Sequence, residues 1–246
     1  MLEICVDTIE SAKNAIIGGA KRLEVCSALS EGGLTPTIGL VKAIRNLTNI
    51  KIFVMLRIRS GNYIYSRDEM NAMLDDLKMF KDSEIVNGFV FGALTNDREI
   101  DILYCDEIIN AAYGLPVTFH RAFDEIRDPL EGIKILSNLG FARILSSGQK
   151  DTAEEGISIL QMMCKEATGK IIIMPGSGIT PDNIYNIKLK TNATEFHSSA
   201  RKKKKLFENE INHIKVGTVA EEVFVMVTDI HTVRQMNQII NNGINS

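Results

Sequence analysis

The stretch LEICVDTIESAKNAIIGGAKRLEVC, residues 2–26, contains one complete strand–helix–strand unit. Its two apolar runs, LEIC (2–5) and RLEVC (22–26), predict strands. Between them, Asp7 and Glu10 fit a capping box at a helix start, and Gly18-Gly19 fits a helix end. A strand, a helix and a second strand in this order are typical of an α/β fold.

The same pattern repeats along the whole chain. The remaining predicted strands are KIFVML (51–56), GFVFGAL (88–94), LPVTFH (115–120), ARILSS (142–147), KIIIMP (170–175) and ATEFHSS (193–199). Further helix starts are predicted at Ser66 with Glu69 and at Thr35-Pro36, Asp128-Pro129 and Thr180-Pro181. Eight repeats in 246 residues predict a TIM (β/α)8 barrel forming a single domain over residues 1–246, with a doubly wound sheet as the rival fold.

Composition argues against several classes of protein. The net charge is −3 and the pI is about 5.9, which favours neither nucleic acid nor a membrane as a partner. There is no apolar run of the ~18 residues that a membrane helix needs, and no signal peptide is evident. The four cysteines form no CxxC pair, so we expect reduced thiols and a cytoplasmic protein, with the nucleus as an alternative. The run Lys202–Lys205 is expected to be a solvated loop.

Polar residues collect where the predicted strands end, which is where barrel enzymes carry their sites. Arg57 and Arg59 suit a carboxylate or phosphate, or they neutralise Glu3 and Glu24 in structural ion pairs. His120 and His197, at the ends of the fifth and eighth strands, are candidates for general acid and base, or they simply line the barrel mouth.

A small anion is a second expected ligand. The PGSG turn runs into a helix start, and SSAR follows the next strand, so their backbone N–H groups could cradle an anion. The predicted anion site comprises Gly176, Ser177, Gly178, Ser198 and Ser199. The alternative is that the glycines only permit a tight turn.

These motifs together resemble the copper homeostasis protein CutC family over nearly the whole chain. The matching stretches are LEICVD, GGAKRLEVCSALSEGGLTPTIGL, FVMLRIRSGNYIYS, VFGALTNDREID, LPVTFHRAFDEIRDP, LGFARILSSG, GKIIIMPGSGIT and TEFHSSAR. The resemblance implies a TIM barrel, a homo-oligomer, a cytoplasmic location and a role in copper handling. It brings no firmly established enzymatic reaction. The chain departs from the family at Ile58, Gln149 and Ser177 and matches poorly from Lys202 to Val223.

The resemblance also implies copper ligands, because the cysteines proposed for Cu(I) in eukaryotic members match Cys5 and Cys26. Glu3 and Cys5 share a strand face, as do Glu24 and Cys26, since side chains alternate along a strand. With neighbouring strands staggered, the two cysteine Cα atoms are expected about 6 Å apart. Soft thiolates favour Cu(I), although a buried free cysteine also packs as a small hydrophobe.

Two functions therefore stand as hypotheses. The first is a cytosolic protein that binds Cu(I) through Cys5 and Cys26. The second is a TIM-barrel enzyme acting on a small anionic metabolite, phosphorylated or not, through Arg57, His120 and His197. No organic cofactor is predicted. Cys105 and Cys164 fall on predicted helices and are expected to pack.

Overall fold

The protein forms an eight-stranded parallel sheet surrounded by helices. In the computed structural model, which describes residues 1–205 and 224–242, the sheet order is β7-β6-β5-β4-β3-β2-β1-β8. The strands of this sheet are β1 (Leu2–Val6), β2 (Arg22–Val25), β3 (Lys51–Met55), β4 (Gly88–Phe91), β5 (Val117–Phe119), β6 (Arg143–Ser146), β7 (Ile172–Pro175) and β8 (Phe196–Ser198). From β1 to β7, neighbours in this order follow one another along the chain, and β8 pairs with β1. This order confirms the predicted barrel and excludes the doubly wound sheet.

One helix follows each strand on the outside of the barrel. The helices are α1 (Ile9–Gly18), α2 (Ile38–Arg45), α3 (Arg67–Asp82), α4 (Ile102–Ala111), α5 (Pro129–Leu139), α6 (Ile157–Glu166), α7 (Ile184–Thr191) and α8 (Ile230–Asn242). Short 3-10 helices cover Leu29–Glu31 and Arg121–Glu125. The main apolar core lies between the sheet and the helices, whereas a smaller cluster of Cys26, Phe53, Met55 and Val90 fills the barrel interior.

The barrel closes between β7 and β8. Ser198 Oγ donates to the carbonyl oxygen of Ile179, 2.9 Å away, which ties the end of β8 to the loop after β7. A Cβ atom at Gly176 would lie 3.3 Å from the Cβ of His197 and 2.4 Å from a methyl of Leu145. The absence of a side chain at Gly176 therefore lets the two strand ends approach.

Two of the five predicted helix starts are confirmed and three are wrong. The Ser66–Glu69 capping box and the Asp128-Pro129 start of α5 are confirmed. The other three starts are wrong by one to three residues, because Thr8, Thr37 and Asn183 are the N-caps of α1, α2 and α7. At α1 the hydroxyl of Thr8 accepts from the N–H of Ser11, 3.1 Å away, and so displaces the neighbouring Asp7 from that role.

The lysine run is not the loop that was expected. Arg201–Lys205 forms strand β9, which pairs antiparallel with β10 (Phe224–Thr228). The four lysines are exposed, as expected, and Lys202 and Lys204 pair with Asp229 and Glu10. Within residues 1–205 and 224–242, no helix combines the length and the apolar character needed to cross a membrane.

Candidate metal and ligand site

A buried ionic network forms the floor of the barrel. Arg22 on β2 pairs with Glu3 on β1, and its Nη2 donates to Glu195, 2.6 Å away. Arg143 on β6 donates to the same carboxylate from Nε at 3.1 Å. Both guanidinium groups also lie about 5 Å from the ring centroid of Phe53, at 4.9 and 5.0 Å. Because β2 and β6 are four strands apart in the sheet, this network spans the barrel.

Strand register brings the candidate site residues together just above this floor. Cys5 lies opposite Glu24 on β2, and Glu3 lies opposite His197 on β8. The Nδ1 atom of His197 lies 2.7 Å from Glu3 Oε1. Ligand atoms of Cys5, Glu24 and His197 all lie within 4.8 Å of one another, and all three residues are buried. We call these three residues the inner cluster.

The pKa values of the buried acidic and basic side chains in this region are strongly shifted. Burial alone would raise the pKa of Glu3, but Arg22 and His197 outweigh it and hold that pKa at about 2. Burial opposes protonation of His197, yet the nearby Cys5, Glu24 and Glu3 raise its pKa well above the usual range. Glu24 has no arginine partner, and burial raises its pKa to about 7. Glu3 is therefore a fixed anion, while Glu24 exchanges a proton near neutral pH.

Cys26 lies higher in the barrel than was expected. Cys5 is opposite Glu24, and Cys26 lies two residues beyond Glu24, just past the end of β2. This offset separates the two cysteine Cα atoms by about 8 Å. Its thiol lies 3.7 Å from the carbonyl oxygen of Val6 and packs within the interior apolar cluster. Burial raises the pKa of Cys26 well above the usual range, so its sulfur is protonated at neutral pH.

A chamber of about 120 Å³ lies above the inner cluster. Arg57 and His120 line it together with the inner cluster, and the ring of Tyr63 lies between them. The centroid of that ring is 5.0 Å from the guanidinium carbon of Arg57 and 4.8 Å from the His120 centroid. Burial and the charge of Arg57 lower the pKa of His120 to about 3, so this ring is neutral at physiological pH.

A wider cleft of about 640 Å³ opens outward from the same region. It is lined by the loops after β7 and β8, including Ser177, Gly178, Ser198 and Ser199, and by the cations Arg121, Arg201 and Lys202. Cys5 and His197 lie at its base. Gly176 is not among the residues that line this cleft. Ser177 has a φ of 77° and Gln149 a φ of 58°, so two positions where the chain departs from the family pattern adopt left-handed backbone.

Arg57 and Arg59, predicted to act together, lie in different surroundings. Arg57 reaches the chamber but forms no ion pair with Glu3 or Glu24; its Nη atoms donate to the carbonyl oxygens of Glu31, Gly33 and Gly61. Arg59 lies outside the chamber and pairs with Glu69. The proposed neutralisation of Glu3 by Arg57 is therefore wrong, since Arg22 performs that role. Cys105 and Cys164 lie on α4 and α6, as expected.

Sequence reasoning missed Arg22, Arg143 and Glu195. Alternation along the strand could have found two of them, because Arg22 precedes Glu24 by two residues and Glu195 precedes His197 by two. Arg143 carried no such signal, since only the closed barrel brings β6 opposite β2. The predicted ion pairing is confirmed for Glu3, with Arg22 in place of Arg57, and is wrong for Glu24, which has no arginine partner among the described residues.

Comparison with known proteins gives consistent matches. The CutC family model matches residues 1–202. The copper homeostasis protein cutC homolog of Homo sapiens is 41% identical over 245 residues, spanning 98% of this chain and 89% of the human protein. A crystal structure of the copper homeostasis protein CutC from Streptococcus agalactiae is 30% identical, with a TM-score of 0.77 over 81% of this chain and 98% of that chain. Thiamine phosphate pyrophosphorylase from Pyrococcus furiosus, at 17% identity and a TM-score of 0.59, shares the fold alone.

Proposed function

Because this chain belongs to the CutC family, we propose that it acts in copper homeostasis and binds one Cu(I) ion through the Cys5 sulfur and the His197 imidazole. The observation that carries the proposal is the inner cluster, where ligand atoms of Cys5, His197 and Glu24 lie within 4.8 Å of one another. Thiolate sulfur is the ligand that Cu(I) prefers, and imidazole is also suitable.

The hydrogen bond between His197 and Glu3 supports the histidine as a ligand. Metal-binding histidines commonly donate one ring N–H to a carboxylate, which orients the ring and makes the other nitrogen a better ligand. Here Nδ1 faces Glu3 at 2.7 Å, so Nε2 is the nitrogen that a metal would bind. Because the pKa of His197 is raised well above the usual range, the metal would have to displace a proton from Nε2. The fixed negative charge of Glu3 would also favour a bound cation.

The Cys5–Cys26 pair remains the alternative ligand set. It has two soft sulfurs, but Cys26 lies outside the inner cluster, and its raised pKa opposes thiolate formation. Glu24 offers a hard oxygen, which Cu(I) does not favour, so we assign it no direct bond to the metal.

Competition with a Cu(I) chelator under reducing, oxygen-free conditions tests this proposal. We expect Cys5→Ser to lose most of the affinity and His197→Asn to lose at least about tenfold, because asparagine can still donate to Glu3 but has no nitrogen at the Nε2 position. Cys105→Ser and Cys164→Ser are the matched controls and should bind Cu(I) normally. Circular dichroism checks that every variant folds.

Cys26→Ser decides between the two ligand sets. A small effect supports Cys5 with His197. A loss as large as that of Cys5→Ser, with little further loss in the double variant, would instead support the two-cysteine site, because coupled ligands act as a unit. Full-strength Cu(I) binding by a folded Cys5→Ser variant would contradict both.

The outer cleft favours a second candidate function, an enzyme acting on a small anionic metabolite. Arg121, Arg201 and Lys202 line this cleft and would attract an anion held beside Ser177, Gly178 and Ser199. Each of these cations also pairs with a carboxylate, respectively of Asp124, Asp7 and Asp229, so an anion would compete with those pairs. His197 would be its acid or base, whereas His120, with a pKa of about 3, is suited to donate a hydrogen bond rather than to accept a proton. Backbone amide NMR during titration with phosphate tests this idea. No shift at Gly176, Gly178 or Ser199 at millimolar phosphate would end it.

A further inference from the structure

Three buried polar atoms around the chamber lack hydrogen-bond partners in the described part of the chain. They are Arg57 Nε, His120 Nε2 and Glu24 Oε2. Their residues are 4%, 3% and 2% exposed, and all three line the same space of about 120 Å³. A buried polar group without a partner costs about 1–3 kcal/mol, so three around one chamber indicate a place where a ligand supplies the partners.

His120 presents a hydrogen-bond donor to this space. Its Nδ1 accepts from the backbone N–H of Ala122, 3.2 Å away, so the proton of the neutral ring resides on Nε2. Gly92 makes room for the ring, since a Cβ atom there would lie 2.6 Å from two of its atoms. The direction of the Nε2–H group is therefore set by backbone on two sides.

Arg57 supplies the second donor and a positive charge. Its Nη1 donates to Glu31 O at 2.8 Å and Gly33 O at 3.2 Å, and its Nη2 donates to Gly61 O at 2.9 Å. These bonds fix the guanidinium group. In the described part of the chain, Nε–H meets no partner at hydrogen-bond distance, and the hydroxyl of Tyr65, which is also without a partner, is the side-chain group beside it. Since its bonds run to neutral carbonyl groups, the charge of Arg57 is available to an anion.

We propose that this chamber binds a small α-hydroxycarboxylate. Its carboxylate accepts from His120 Nε2–H and Arg57 Nε–H, and its hydroxyl donates to Glu24 Oε2. The volume matches about four water molecules at ~30 Å³ each, which limits the ligand to roughly four to six non-hydrogen atoms. The three hydrogen-bonding groups differ from the proposed copper ligands Cys5 and His197. Those two residues also line the chamber, so the test uses the metal-free protein.

Calorimetric titration of the metal-free, reduced protein with glycolate tests the proposal. We expect saturable binding with a Kd on the order of 1 mM, as suits a very small ligand. Acetate lacks the hydroxyl and should bind about tenfold more weakly. The imidazole ¹⁵N signals of His120 should shift on saturation, while those of the exposed His231 should not.

Two substitutions of His120 distinguish loss of the Nε2–H donor from loss of folding. His120→Asn retains an acceptor near the Nδ1 position for Ala122 N–H but has no donor at Nε2, so it should lose glycolate binding. His120→Gln places an amide N–H near the Nε2 position and should retain part of it. Arg57→Lys should weaken binding at least tenfold, whereas the matched Arg59→Lys should not. Cys105→Ser, on α4 and outside the chamber, should bind glycolate like the unmodified protein.

Several outcomes would overturn the proposal. One is no saturable binding of glycolate up to about 10 mM. Equal affinity for acetate and glycolate would remove the assigned role of Glu24, and unchanged binding by folded His120→Asn would remove the donor. Because copper is absent throughout, failure here leaves the copper proposal intact.

Discussion

Glu24 has a raised pKa in the folded protein, and we predict that its titration affects the stability of the protein. An unfolded glutamate titrates near pH 4.3, whereas burial raises the pKa of Glu24 in the folded protein to about 7. Between these values the folded state holds more protons than the unfolded state. The free energy of unfolding contributed by Glu24 therefore falls as the pH rises from about 4.3, and levels off above about 7.

Glu24→Gln should remove this dependence. The change in the free energy of unfolding caused by this substitution should be more favourable at about pH 8 than at about pH 4, by on the order of 3 to 4 kcal/mol. Urea unfolding of the metal-free protein at the two pH values measures the difference. If the substitution changed the free energy of unfolding equally at the two pH values, Glu24 would titrate normally in the folded state.

Alternation along single strands predicted which side chains of one strand share the barrel interior. It correctly grouped Glu3 with Cys5 and Glu24 with Cys26, because that grouping needs only a period of two. It could not place Cys5 opposite Glu24 rather than opposite Cys26, since register between strands depends on the whole barrel. The chamber depends on loop conformation around Arg57 and was not predictable from spacing.

At the scale of elements, helix starts show how local signals compete. Ser66 and Glu69 bond reciprocally, Ser66 Oγ accepting from Glu69 N at 3.2 Å and Glu69 Oε2 from Ser66 N at 2.8 Å. At α1 both Asp7 and Thr8 are good caps, and the sequence alone does not rank them. The side chain of Asp7 instead accepts from Leu29 N, 3.3 Å away, which is a tertiary contact.

Ser66→Ala should test the contribution of the cap to the stability of α3. Losing the hydroxyl leaves the N–H of Glu69 without its partner, so we expect a loss of about 1 kcal/mol in the free energy of unfolding. Ser60→Ala, at an exposed position of the preceding loop, is the control and should change stability by less than about 0.5 kcal/mol. Equal values for the two variants would mean that the cap contributes nothing measurable.

At the scale of the whole molecule, the barrel could be predicted because its signal is repeated. Eight alternations of strand and helix agree with one another, so an error at any single boundary does not change the fold. What could not be predicted is what fills the barrel. The interior combines a small apolar cluster with charged side chains from β1, β2, β6 and the residue before β8, which meet only after the sheet closes.

This charged floor should be necessary for the closed barrel. Glu195 accepts from both Arg22 and Arg143, so Glu195→Gln would leave two buried guanidinium groups with Glu3 as their remaining anion. Breaking a buried ion pair typically costs 3–5 kcal/mol, and we expect about that loss in the free energy of unfolding by urea. Glu131→Gln removes an exposed pair with Lys134 and should cost less than about 1 kcal/mol. If the two variants were equally stable, the floor would not be what joins β2 to β6, and packing around Phe53 would have to hold the barrel closed.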